Sequence, residues 1–342
     1  MRSALRVAFI LSGGLLCVAT ADVGKEGDLQ RLLFERAEMG VPFRITLYAA
    51  DPVAGKAAAE AAFARISELN SVLSDYDSDS ELSRLSRTSG QGKPVKVSDD
   101  LWRVLEPAQR LAVRTGGAFD VTIGPSVSIW RRARRKQELP GPEVIAEMQQ
   151  RVGFSKLRLD PVARTAELLA PEMRLDLGGI AKGFAVDEAL AVLRQLGFPQ
   201  ALVGGAGDIV AGDPPPGEAG WTVEAAALVT PGAPPSQTIL LRNAAISTSG
   251  DLFQFVEIDG RRYSHIVDPR TGIGLQDQAL VTVVAPDCIT ADALATAISV
   301  LGRVEGLKLA EEIPGAAVHL FQRSGERIET AESTRWKDVP KR

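Results

Sequence analysis

The chain is poor in the residues that metal and redox centres most often use. Its 342 residues include two cysteines and two histidines, too few for a zinc ribbon, an iron–sulfur cluster or a disulfide scaffold. Aromatic residues make up 5%, and there is neither a heptad nor a collagen repeat. Positive charge is not in excess: the formal charge is −4, so nothing global draws the chain to nucleic acid or an anionic membrane. With 24% charged residues it is no multi-span membrane protein, and with 45% hydrophobic residues it is no disordered polymer. The length admits one large domain or two, either able to bury a substantial core.

The first 21 residues read as a processing signal. Arg2 and Arg6 precede an apolar run from Val7 to Val18, and no acid occurs before Asp22. Ala19-Thr20-Ala21 supplies the small residues of a cleavage site. The run falls short of the ~20 residues that span a bilayer, so export with cleavage before Asp22 is expected over a retained anchor. A lipid anchor on Cys17 would want a small residue where Leu16 stands. Removal of residues 1–21 takes the charge to −6 and leaves Cys288 alone, which excludes an internal disulfide. Residues 22–342 are then expected to form one domain.

Along that domain, Val41–Tyr48 alternates like a half-buried strand. Ala57–Leu73 carries Phe63, Ile66 and Leu69 on one face, which predicts an amphipathic helix. Ser98 is placed to cap a helix running to about Thr115, stopped by Gly116-Gly117. Residues 131–151 are basic and then polar, as in a peripheral insertion with a helix. Ile180–Leu196 has helical period. Strands are expected at Ala201–Val203, Trp221–Ala225, Thr238–Leu241, Phe253–Ile258, Tyr263–Val267, Leu280–Val284 and Val318–Phe321, with a helix at Ala291–Leu301. The proline runs at 214–216 and 231–235 mark turns. Because most strands follow one another without an intervening helix, the pattern predicts an α+β fold with a largely antiparallel sheet.

Three stretches could carry chemistry. In Leu175–Asp187, two glycines stand between a strand and a helix whose first turn holds Lys182. Such a helix start suits a phosphate, although it also fits a plain strand-to-helix turn, and the P-loop spacing is absent. The second stretch, Ile246–Asp251 with Arg262–Gly272, holds His265 three residues before Asp268. A strand histidine is often structural. In the third, Thr290–Thr296, Asp292 and Thr296 are four apart and share a helical face. A carboxylate, a hydroxyl and nearby carbonyls form a hard oxygen set suited to Mg²⁺, yet such an Asp also caps a helix.

Together these stretches resemble the ApbE family of Mg²⁺-dependent FAD:protein FMN transferases. The likeness rests on Ser80–Leu85, Ala118–Pro125, Asp176–Gly183, Ser247–Asp251, Ser264–Gly272 and Asp292–Thr296, six motifs in the family's order. It spans about Met39 to Leu301.

The resemblance implies a T-fold-like arrangement and a position-by-position set of roles. Met39, Tyr76, Ala118, Phe119, Asp120, Asp176, Lys182 and Ile266 match FAD-contacting positions. Gly179, Asp292, Ala295 and Thr296 match the Mg²⁺ shell. His265 matches the histidine of the family's S-H-x-x-D-P motif, implicated in transfer, with Lys182 holding developing charge and Asp268 near enough to orient the ring. The implied reaction attaches FMN from FAD to a threonine or serine hydroxyl of an acceptor redox protein and releases AMP. Implied too are a periplasmic location, with or without association with the inner membrane, and membrane-associated electron-transfer proteins as acceptors; no nucleic acid is involved. An FAD pyrophosphatase or an FAD-binding periplasmic protein is the alternative. Three positions depart from the family: Gly204–Asp208 reads G-G-A-G-D for the usual N-A-G-G-D, Leu252 replaces an aromatic, and Ser86 replaces an asparagine. The run Arg131–Lys136 fits a solvated loop better than a docking patch for an acidic acceptor or a membrane surface.

Overall fold

Alternation builds the central sheet. In the strand Val41–Ala49, Phe43, Ile45, Leu47 and Ala49 are buried towards one face while Tyr48 packs on the other. Period two is what a sheet covered on both faces requires. The computed structural model describes residues 29–225, 237–250, 254–324 and 327–342. The processing signal at 1–21, the turn at 231–235, and Asp251 and Leu252 lie outside the described residues.

Eight strands form this sheet: β1 (Gln30–Glu38), β2 (Val41–Ala49), β3 (Ala201–Gly205), β4 (Asp208–Ala211), β5 (Ala244–Gly250), β6 (Gln278–Ala285), β7 (Ala317–Ser324) and β8 (Arg327–Glu332). They lie side by side in chain order, and every neighbouring pair is antiparallel. The fold is thus α+β with an antiparallel sheet, as the run of strands predicts.

Three helices cover one face. In α1 (Pro52–Leu73) the Asp51 carboxylate accepts from Val53 N at 2.8 Å and Pro52 opens the first turn, both favourable at a helix start. α2 (Asp99–Arg114) is capped by Ser98, whose hydroxyl accepts from Leu101 N at 3.2 Å. After α3 (Gly124–Lys136) come α4 (Ala181–Gln195) and α5 (Cys288–Glu312). α1, α4 and α5 pack on the sheet and bury Phe63, Ile66, Leu69, Phe184, Leu190 and Ile298 at 0–3% exposure. Each such side chain contributes about 1.5–3 kcal/mol. α5 bends at Gly302, where φ is +73°, a conformation that favours glycine. On the opposite face the hairpin 221–225/237–241 and the turn 334–338 enclose Trp221, Ile239, Ile246 and Trp336. Among the described residues no helix is long and apolar enough to cross a membrane.

The structure departs from the sequence reading where polar residues do structural work. Residues 131–151 are peripheral and carry a short helix, Pro142–Gln149, that buries no residue, as expected, but the segment is anchored by α3, whose Trp130 and Ala133 are buried beneath the hairpin 255–258/261–264. Tyr263–Val267 is two strands rather than one, broken at His265, with Val267-Asp268 pairing Ile273-Gly274. Ser247, Thr248 and Ser249 belong to β5. Two of the hydroxyls find partners across the sheet: Ser247 Oγ donates to Asp208 Oδ1 at 2.6 Å, and the Thr248 and Thr282 hydroxyls are 3.2 Å apart.

Candidate active site

A cavity of about 470 Å³ opens where the inserted segments meet the end of β5, and residues from all six motif regions except Ser80–Leu85 line it. Met39 reaches it from the β1–β2 turn, where Met39 (φ +49°) and Gly40 (φ +77°) make the doubly left-handed connection that matches strand twist. Tyr76, Ala118, Phe119, Asp120, Asp176, Gly179, Lys182, His265, Ile266, Asp292 and Thr296 also line it. The FAD, histidine and metal positions implied by the resemblance therefore face one space, with two exceptions.

The loop 176–180 feeds straight into α4. Asp176 Oδ1 accepts Gly178 N at 2.8 Å. Lys182 folds back over this loop: Nζ donates to Gly178 O at 3.0 Å and stands 3.4 Å from Asp208 Oδ2 and 3.8 Å from Asp292 Oδ2. Burial disfavours its charge, but Asp292 and Asp208 outweigh it and raise the Lys182 pKa. Lys182 is therefore a fixed ammonium.

Asp292 is 4% exposed, one turn inside α5. Burial and then Asp208 push its carboxyl upward, against Lys182 and the Gly183 N–H, which donates to Oδ2 at 3.1 Å. The approach of α4 to α5 depends on Gly183. A Cβ there would meet Cys288 O at 2.3 Å and Asp292 Cβ at 2.8 Å. Asp187 ties the same helices together by accepting from Cys288 N and Ile289 N at 2.8–2.9 Å.

Gly179 lies against Thr296: a Cβ on it would come 2.9 Å from Thr296 Oγ1. The Gly179 carbonyl, the Thr296 hydroxyl and the Asp292 carboxylate are hard oxygen donors, and few protein ligands beside phosphate suit Mg²⁺. Among the described residues no group of three or more His, Cys, Asp or Glu could hold a metal ion, so the set fits a metal shared with a ligand better than a closed protein cage. Ala295 is the first exception. It is buried outside the cavity lining, and its carbonyl accepts Ser299 Oγ at 2.8 Å.

His265 closes the other side. Its backbone N–H and its Nδ1 both reach Gln254 O, at 2.9 and 3.0 Å. A carbonyl only accepts, which assigns the proton to Nδ1 and leaves Nε2 an acceptor. Burial, then Arg134, Lys182 and Arg262, push its pKa down to about 4, against the Gln254 bond. Asp268 is the second exception and corrects the expected orientation of the ring. Its two oxygens accept Arg270 Nε and Nη2 at 2.9 and 2.8 Å, and it is not in the lining. Gln254, not Asp268, orients His265. Asp120 is turned inward too: Oδ1 accepts Thr122 N and Oγ1 at 2.8 and 2.7 Å.

Gln254, Asp208 and Arg131 are among the lining residues that the sequence reading does not single out. Asp208 is buried with Oδ2 lacking a hydrogen-bond partner; its signal was the altered G-G-A-G-D stretch itself. Arg131, expected in a solvated loop, is half-buried and pairs with Asp75 and Asp176.

Residues 39–320 match the ApbE family. The FAD:protein FMN transferase of Haemophilus influenzae is 35% identical over 286 residues, 80% of this chain and 81% of its own length. That of Treponema pallidum is 34% identical over 328 residues, 90% of each. The structure of the flavin transferase ApbE from Vibrio cholerae superposes with a TM-score of 0.81 at 29% identity, covering 91% of this chain and 99% of that one. With the match spanning most of its length and the motif residues gathered at one cavity, this chain belongs to the ApbE family.

Proposed function

We propose that the chain is an FAD:protein FMN transferase that uses Mg²⁺, acting on a threonine or serine hydroxyl of an exported acceptor protein. The observation that carries this reading is the meeting of Gly179, Lys182, His265, Asp292 and Thr296 around a single cavity. The acceptor oxygen bonds to the FMN-side phosphorus of FAD. The bond from that phosphorus to the bridging oxygen breaks, and AMP leaves with the electron pair. Gly179, Asp292 and Thr296 would hold Mg²⁺, which when bound offsets the charge of the pyrophosphate.

The chain's own groups do the rest. Lys182, kept charged by Asp208 and Asp292, faces the negative charge that develops as AMP departs. His265, neutral at pH 7 and with Nδ1 committed to Gln254, can accept the hydroxyl proton at Nε2. A pKa of about 4 makes it a weak base, and an anionic pyrophosphate in the same cavity opposes that shift. Tyr76 and Met39 offer the aromatic and thioether surface that a flat ring system packs against. The amino-terminal segment supports an exported, periplasmic location.

The test is intact-mass spectrometry of co-expressed exported redox proteins. A gain of one FMN on threonine or serine, with AMP in equal amount, is the expected result, and Asp292→Ala should abolish it. AMP release without any acceptor, with no modified protein, would replace the transferase by an FAD pyrophosphatase.

A further inference from the structure

The exposed aromatic ring that lines the cavity is held in an unusual way. Tyr76 is 79% exposed, too exposed for packing to fix it. Its backbone N–H leans on Ser74 Oγ at 3.2 Å, which sets the turn but not the ring. The ring instead meets Arg131, whose guanidinium carbon lies 4.2 Å from its centroid. The same guanidinium donates from Nη1 to Asp75 Oδ2 at 2.5 Å and from Nη2 to Asp176 Oδ2 at 3.1 Å. Asp176 in turn holds Gly178 N, next to the Gly179 carbonyl. Arg174 completes the arrangement by donating to Asp75 O at 2.6 Å.

We propose that Arg131 is a positioning residue for FAD: it fixes the Tyr76 ring as a platform for a flat ring of the dinucleotide and ties that platform to the 176–179 loop. The role rests on the transferase reading given above. A planar guanidinium can stack on an aromatic face while its edge serves two carboxylates; an ammonium cannot do both. One side chain of α3 therefore connects the ring-binding part of the cavity with the part that faces the pyrophosphate. The carboxylates also account for the charge: with Asp75 and Asp176 beside it, Arg131 is neutralised locally and is not a spare cation waiting for phosphate.

The experiment is FAD titration at fixed Mg²⁺, by calorimetry and flavin fluorescence, of Arg131→Lys, Arg131→Met, Tyr76→Leu and the double variant Tyr76→Leu/Arg131→Lys. Arg131→Lys should weaken FAD by about tenfold, close to Arg131→Met, because charge alone does not restore the stack. In the Tyr76→Leu background the same change should cost less than about threefold, since coupled residues are not additive. Fluorotyrosine NMR of the free protein gives a second readout. The Tyr76 resonance, assigned by Tyr76→Phe, should move towards that of free tyrosine in Arg131→Lys while those of Tyr48 and Tyr263 stay. Wild-type FAD affinity in Arg131→Lys, full additivity with Tyr76→Leu, or an unmoved Tyr76 resonance would each overturn the proposal. A wild-type protein that binds no FAD would instead sink the transferase reading, and the NMR shift alone then decides whether Arg131 fixes the ring.

Discussion

Replacing Gly183 by alanine adds one methyl group where α4 crosses α5, and the outcome follows from distances. The new Cβ would sit 2.3 Å from Cys288 O, 2.8 Å from Cys288 C and 2.8 Å from Asp292 Cβ. Ordinary contact begins near 3.4 Å, so the helices must part by about 1 Å. The obstacle is backbone, so no side chain can swing aside. Overpacking of this kind costs about 1–3 kcal/mol, with the upper end fitting a backbone collision. The gain in helix propensity is at most about 1 kcal/mol and does not cancel it. A net loss of about 1–2 kcal/mol lowers Tm by roughly 2–4 °C. The larger effect is functional. Gly183 N holds Asp292 Oδ2, and a shift of about 1 Å at a reacting centre can cost about 100-fold. Calorimetric Mg²⁺ binding in the presence of FAD, together with single-turnover transfer, should show this loss with the fold retained. A Gly183→Ala variant with wild-type Tm and wild-type Mg²⁺ affinity would refute the idea that this crossing sets the Asp292 position.

Burial and three neighbouring cations hold His265 at a pKa of about 4, so it refuses a proton that the unfolded chain accepts near 6.5. Its contribution to stability is thus complete above pH 6.5 and is lost as pH falls towards 4, while the base form persists across pH 5–8. An NMR titration of its ring should give a midpoint below 5, and a midpoint at or above 6.5 would show that the ring is solvated. Ala206 sits at φ +52° in the β3–β4 turn, where the side chain is strained. Ala206→Gly should raise stability by about 0.5–1 kcal/mol and Tm by about 1–2 °C; an unchanged or lower Tm by differential scanning calorimetry contradicts that strain.

Much of this molecule is legible in its sequence. Capped, periodic helices announce themselves: Ser98 and the 63/66/69 stripe mark α2 and α1. The Gly- and Asp-rich motifs marked the cavity, because a backbone that must approach a ligand needs glycine and a metal needs oxygen. Less visible were residues whose role depends on a distant partner. Arg131 reads as one of a basic run, and its half-burial comes from Asp75 and Asp176, 56 and 45 positions away. Asp268 is three residues from His265, yet the strand break between them turns it to Arg270. β1 is hard to see in the sequence because it mixes Arg31, Glu35 and Arg36 with Leu32 and Phe34, as an edge strand does, and only Leu32 and Phe34 are buried.

The chain-order arrangement of the sheet has a consequence for how the cavity comes into being. β1 and β2, β3 and β4, and β7 and β8 are each only two residues apart in sequence, so these pairs can form locally. β2 and β3 cannot: the 151 residues between Ala49 and Ala201 separate them, and closing so long a loop costs about 4–5 kcal/mol of entropy before any contact repays it. That same loop carries Tyr76, Asp120, Arg131, Asp176 and Lys182, while His265 and Asp292 arrive from two later excursions. No contiguous fragment holds the whole cavity. A ligand that fills the cavity therefore touches stretches of chain that only the assembled sheet brings together. Anything bound there stabilises only the finished protein, and it ties the long excursion between β2 and β3 to the two later ones.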